Sequence, residues 1–279
     1  MVLKHVILYL LLILLFGCDA QTAIPNAESI IVEEKVTIKN LIYTDTSFKT
    51  IHVFVALCDN KFQGIVPVPS KIGNGQDPDN NLYWGCAFGI RTYFKKSAEW
   101  KQVKFQKLDS LKLERIVFKH ISKNWYLIVE AYNGKYIETC TKDFLKSSAG
   151  IQKDTIHIND KVIGTHGNAL LLAYIGHDGL MDFQLTESFV NKDAIRRNCI
   201  VLACYSKSYF SPHLKNANVN PLVWTTGLMC PEAYTLHDAI SSFLNNQSEV
   251  EIRIKAAQAY SKYQKCSEKA AKSLLVTGW

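Results

Sequence analysis

Two apolar runs in this 279-residue chain each end on a residue that can do chemistry. Leu170-Leu171-Leu172-Ala173-Tyr174-Ile175-Gly176 leads into His177, and Ile200-Val201-Leu202-Ala203 leads into Cys204. Near-continuous apolar runs of this length suit strands buried on both faces of a parallel sheet. The 27-residue step from His177 to Cys204 has room for one short crossover, which would make the two strands parallel and put both residues at one carboxyl edge. Open α/β sheets bind ligands at that edge. A thiol is a poor nucleophile while protonated, and a neighbouring imidazole corrects this by taking the proton or stabilising the thiolate. The pair therefore points to acyl transfer. Each residue has a plainer reading alone, Cys204 as a core cysteine and His177 as a hydrogen-bonded strand end. Their equivalent places on two strands favour the joint reading.

The elements that must position this pair are legible in outline. Val36–Ile42 and Ile51–Leu57 have strand composition, the second apolar enough for a sheet centre. A long Gly/Pro-rich loop, Asn60–Pro78, follows it, and a loop of that length at the end of a central strand favours function. Pro78, Asp79 and Asn80 signal a helix start, with Leu82, Cys86, Ile90, Tyr93 and Phe94 on one face. Val103–Phe105 reads as a strand, and residues 114–140 as an inserted hairpin turning at Asn133-Gly134. A short helix is expected over 141–149, a crossover helix over 186–198, a fifth strand over Leu222–Leu228, and helices over Glu232–Leu244 and Val250–Leu275. Runs 51–57, 169–176, 200–204 and 222–228 should be neighbouring parallel strands. The alternation predicts one α/β domain over 36–279, a doubly wound sandwich with a mainly parallel central sheet flanked by helices.

The amino terminus is of another kind. Lys4 and His5 precede an apolar run, Val6–Phe16, too short to span a bilayer but suited to a secretory signal over residues 1–17. Leu15-Phe16-Gly17-Cys18 resembles a bacterial lipobox, so Cys18 is the expected lipid anchor and 18–35 a tether. Cleavage after Ala20, giving a soluble secreted protein, is the alternative. Either way the chain is expected to be exported, as a periplasmic or cell-surface lipoprotein or in secreted form. The net charge of +7 is dispersed in short groups such as Lys95-Lys96 and Arg196-Arg197, without a basic block interleaved with aromatics, so no nucleic-acid partner is expected. Membrane contact is expected only through Cys18. Seven cysteines lie beyond it: Cys58, Cys86, Cys140, Cys199, Cys204, Cys230 and Cys266. An odd number in an exported protein leaves at least one unpaired thiol, with Cys204 the candidate; the other six are either three disulfides or buried thiols.

The flanks of the pair resemble the legumain and caspase-like cysteine peptidases, in particular the legumain and GPI-anchor transamidase branch. Ala173-Tyr174-Ile175-Gly176-His177 looks like the tyrosine-containing histidine strand of that branch, with Phe183-Gln184 at a matching place downstream. Ala203-Cys204-Tyr205-Ser206-Lys207-Ser208-Tyr209-Phe210 looks like the turn after the family nucleophile. The likeness covers about residues 50 to 245. It implies a caspase-like fold and a polypeptide substrate, with no cofactor. Cys204 is then the nucleophile, His177 the general base and acid, and the backbone N–H groups of Gly179 and Cys204 the oxyanion donors. Asn60, with Asp59 as fallback, is the implied orienter of the imidazole after the first strand. The chain departs from the family at three points: Asp178 separates His177 from Gly179, Lys207 stands where glycine is common, and the histidine-to-cysteine spacing is short.

Three other readings stay in view. His166-Gly167 has the adjacent His-Gly that His177 lacks, but precedes an apolar strand and belongs at the opposite sheet edge. Cys58, His177, Cys204 and Cys230 would all lie at the carboxyl edge, where such a set can hold zinc, although no pair has the short spacing of common zinc sites. A catalytically inactive surface lipoprotein that keeps the fold for binding is the third.

Overall fold

A computed structural model describes residues 44–279. The expected signal segment, Cys18, the tether and the strand Val36–Ile42 lie outside the described residues. In chain order the elements are β1 (Lys49–Ala56), α1 (Ile90–Lys95), β2 (Trp100–Lys107), β3 (Lys112–His120), β4 (Trp125–Tyr132), α2 (Ile137–Ser148), β5 (Lys153–Ile158), β6 (Lys161–His166), β7 (Leu171–Ile175), β8 (Asn198–Leu202), α3 (Ser206–Asn216), β9 (Asn220–Thr225), α4 (Ala233–Leu244), α5 (Glu249–Gln264), α6 (Glu268–Leu274) and β10 (Leu275–Val276). Eight strands form one sheet in the order β10-β9-β8-β7-β1-β4-β3-β2, and β5 pairs with β6 in a separate hairpin. β4, β1, β7, β8 and β9 are parallel; β2, β3 and β10 extend the edges antiparallel.

Period-two burial explains why these strands sit at the centre. Ile51, Val53 and Val55 of β1 join Ala173, Ile200 and Leu202 in one core, covered by Leu236 and Ile240 of α4 and Ala256 of α5. Phe54 and Ala56, one residue out of phase, join Leu172, Tyr174 and Val201 in a second core beneath Phe144 of α2 and Phe210 of α3. Both faces of each central strand are therefore apolar, and helices lie on both sides of the sheet. This is an α/β sandwich with a mainly parallel sheet. No helix among the described residues is long and apolar enough to cross a membrane.

Four expectations need correction. The hairpin is β3–β4 and turns at 121–124; Asn133-Gly134 instead leads into α2, the Asn133 side chain accepting the Lys135 N–H at 3.1 Å. It is no insertion either, because β4 pairs with β1 in the central sheet. The helix expected from residue 79 forms only at Ile90–Lys95, since Asn81 holds the preceding chain in an irregular loop by bonding Cys58 N, Cys58 O and Asn74 O. Residues 186–197 contain no helix. There the buried Arg197 donates to the Gly167 carbonyl at 2.7 Å and to Asp193, satisfying an extended crossover. The carboxy-terminal helix divides into α5 and α6 at Lys265, whose φ is 57°. The hairpin β5–β6 was not expected from the sequence.

Candidate functional site

The chain runs from β1 to β4 on one side of it and from β4 to β7 on the other, which makes the carboxyl ends of β1 and β7 the switch point of the sheet. A cavity of about 280 Å³ opens there, lined by Gly176 and His177 after β7, Cys204 after β8, the loop after β1, and residues 228–231 after β9. The structure brings His177 and Cys204 to one cavity.

His177 reaches it through a backbone feature. Gly176 has φ 144°, and a Cβ there would lie 2.6 Å from the Ala56 carbonyl oxygen, so the chain leaves β7 by a path open to glycine. His177 is buried, and its carbonyl accepts the Tyr174 hydroxyl at 2.8 Å. Its Nε2 lies 2.8 Å from Asp182 Oδ2, which also accepts the Gly64 N–H at 2.9 Å. A carboxylate needs a donor, so Nε2 carries the proton and Nδ1 is left as the basic nitrogen. Asp182 is placed by the single 3₁₀ turn Gly179–Met181, which Asp178 caps by accepting the Leu180 N–H at 3.0 Å.

Cys204 sits where β8 turns sharply into α3. Tyr205 takes a left-handed conformation, φ 48°, and donates its N–H to the Gly227 carbonyl at 2.9 Å. Ser206 then ties the helix start to β8 through its hydroxyl on the Val201 carbonyl, 2.9 Å. The sulfur is thereby presented at the tip of a strand-turn-helix corner. Its Sγ receives the Met229 N–H at 3.4 Å. Burial pushes the thiol pKa up; the Met229 backbone pulls it down, and the charge of Asp178 adds to the rise. No hydrogen bond joins Cys204 to His177 among the described residues.

The other expected site residues fall differently. Gly179 lies at the start of the 3₁₀ turn with the Phe183 ring against it, leaving no room for a Cβ. Asn60 does not hold the imidazole: its amide is committed to the Val68 backbone, donating to the carbonyl at 2.7 Å and accepting the N–H at 3.0 Å. Asp59 is likewise spent, on the Lys61 N–H and on Gln76. Both fold the loop that walls the cavity, and Asp182 occupies the orienting place. The signal for it in the sequence is a carboxylate following the Gly179 turn, next to Phe183-Gln184.

Cys58, His177, Cys204 and Cys230 approach one edge, yet they do not gather their ligand atoms to coordination distance, and burial pushes Cys58 to about 11 and Cys230 to about 12. Among the described residues only His52, Glu130 and His166 lie that close together. Glu130 accepts Lys112 Nζ at 2.9 Å and Arg115 Nε at 2.7 Å, and His52 Nδ1 accepts the His166 N–H at 2.8 Å, while His52 Nε2, 3.4 Å from Glu130 Oε2, has no hydrogen-bond partner. His166 thus belongs to a buried network with His52, Glu130 and Lys112 and does not line the cavity. All seven described cysteines are free thiols. No family model matches the chain, and neither a curated protein nor a solved structure does so.

Proposed function

We propose that this chain is an exported cysteine peptidase or transpeptidase of the legumain and caspase-like type, anchored through Cys18. One observation carries the reading: His177 and Cys204 open onto the same cavity, with Asp182 bonded to Nε2 of the imidazole. In the reaction His177 Nδ1 takes the Cys204 proton and Sγ attacks the scissile carbonyl carbon. The S–C bond forms, the C–N bond breaks, and the proton passes from His177 to the leaving amine. Water or a second amine then attacks the thioester, His177 takes its proton, and the thiol is restored. The N–H groups of Gly179 and Cys204 are the candidate donors to the tetrahedral oxygen.

The test is covalent labelling with a peptidyl acyloxymethyl ketone followed by intact mass and peptide mapping. A single adduct on Cys204 that is lost in Cys204→Ala and slowed at least tenfold in His177→Ala supports the reading. Labelling unaffected by His177→Ala, or spread over several thiols, overturns it. The raised Cys204 pKa favours a second reading, a surface lipoprotein that binds without turnover. That reading requires an unlabelled Cys204. Cys18→Ala tests the anchor: it should move the protein from the membrane fraction to the soluble one.

A further inference from the structure

We infer that the cavity beside Cys204 is a specificity pocket for a large uncharged apolar side chain, of leucine, methionine or phenylalanine type, next to the scissile carbonyl. The inference rests on the proposed acyl-transfer reading and adds its substrate class.

Apart from His177, Cys204, Cys230 and Tyr83, the walls are mainly aliphatic: Ile65, Val66 and Val68 from the loop after β1, Leu82, and Leu228 with Met229 after β9. No Lys, Arg, Asp or Glu side chain lines it. An acidic substrate side chain would find no guanidinium or ammonium, and a basic one no carboxylate. Asp178, whose Oδ2 is unpaired, does not line the cavity, and two other nearby carboxyls are committed elsewhere. Asp182 holds His177 and Gly64 N–H, and Glu232 accepts the Tyr234 hydroxyl at 2.8 Å. A charge buried here would lose its hydration without a partner, whereas an apolar group gains by leaving water.

The rim carries a second and independent sign. Val66 is 83% exposed, Leu228 65% and Met181 40%, and all three line the cavity. Large apolar residues left in water around a concave site mark a surface that a ligand covers. Asn60 supports one side of this mouth, because its pair of hydrogen bonds with the Val68 backbone fixes the loop that carries Val66.

The experiment measures the rate of Cys204 adduct formation for peptidyl acyloxymethyl ketones that differ only at the residue beside the carbonyl: Leu, Phe, Asn, Asp and Lys. Leu and Phe should react at least tenfold faster than Asp and Lys, in line with what one well-filled apolar pocket discriminates, roughly 10- to 200-fold. Val66→Asp and Leu228→Asp, both at exposed positions that folding tolerates, should each lower the Leu-to-Lys rate ratio at least tenfold. Asn, Asp or Lys reacting as fast as Leu, with Cys204 still labelled and His177-dependent, overturns the pocket while leaving acyl transfer intact. An unchanged ratio in both variants overturns it too. If iodoacetamide alkylates Cys204 but no peptidyl reagent does, acyl transfer itself falls and the pocket with it.

Discussion

His177 Nε2 and Asp182 Oδ2 lie 2.8 Å apart, five residues from each other in the chain and joined across one 3₁₀ turn. That contact fixes which imidazole nitrogen holds the proton, so Asp182 acts through His177 as a positioning residue. Asp182→Asn should slow Cys204 labelling by about 10- to 100-fold, the usual cost of removing a group that orients a reactive partner, and should shift the pH at which labelling is half-maximal. Gly64→Ala tests the same contact from outside it. A Cβ on Gly64 would meet Asp182 Oδ1 at 2.3 Å, so the carboxylate must swing away. Labelling rates of both variants against pH are the measurement; a rate equal to wild type in both would remove Asp182 from the site.

Gly176 sets the exit of β7. An alanine there combines a backbone φ of 144° with a 2.6 Å approach to the Ala56 carbonyl, a fixed backbone atom. Gly176→Ala should destabilise the fold by about 3 kcal/mol, from strain and overpacking together. Gly227→Ala is the matched control: its Cβ would meet only a Leu274 methyl at 3.3 Å, which can yield. Urea midpoints of the two variants should differ clearly, with the Gly227 variant close to wild type.

The parallel centre of the sheet was legible because β1, β7, β8 and β9 are buried on both faces and therefore read as apolar runs. So was the placing of His177 and Cys204 on one cavity, which follows from two parallel strands ending at one edge. What escaped was set by side chains acting at a distance. Asn81 pins a loop that has helical periodicity, and Arg197 satisfies a crossover that would otherwise need a helix. Asn60 and Asp182 show the same limit at the site. An asparagine after a strand serves a loop as well as it serves an imidazole, and only the fold of the 3₁₀ turn brings Asp182 back to His177.

Glu130 is buried between Lys112, Arg115 and His52, in register with Phe54 of β1. Its neighbours hold its carboxyl well below the usual range against the opposing effect of burial. Removing it strands two part-buried cations, so Glu130→Ala should cost about 3–5 kcal/mol. The imidazoles above it give the network a pH sign. Burial and the neighbouring His52 push His166 down to about 2, against about 6.5 when unfolded. Between those values the unfolded chain binds a proton that the folded chain refuses, so stability falls as pH falls below about 6.5. His166→Asn suits the left-handed backbone there, φ 53°. It should flatten the acid side of the stability curve by about 1.4 kcal/mol per pH unit. Urea titrations from neutral to mildly acidic pH read this slope directly.

Asp178 works in the opposite sense. Its side chain is buried, Oδ1 accepts the Leu180 N–H, and Oδ2 has no partner. Burial pushes its pKa up to about 7, the Leu180 bond opposing and the charge of Asp182 adding to the rise. The unfolded value is about 3.9. Across that window the folded chain keeps a proton that the unfolded chain releases, so this group removes stability as pH rises from about 4 to about 7, and the loss persists above. Between about pH 5 and pH 8 the loss is on the order of 2–3 kcal/mol. Asp178→Asn keeps the cap, since its carbonyl oxygen can still accept from Leu180, and carries no titrating charge. The variant should match wild type at about pH 5 and exceed its stability at about pH 8. It should also label faster at Cys204 at the higher pH, because the carboxylate that opposes thiolate formation is gone. Equal stability of the two proteins at both pH values would show that Asp178 is ionised and solvated in the fold, and a slower Cys204 would mean that the carboxylate helps the thiol instead of hindering it.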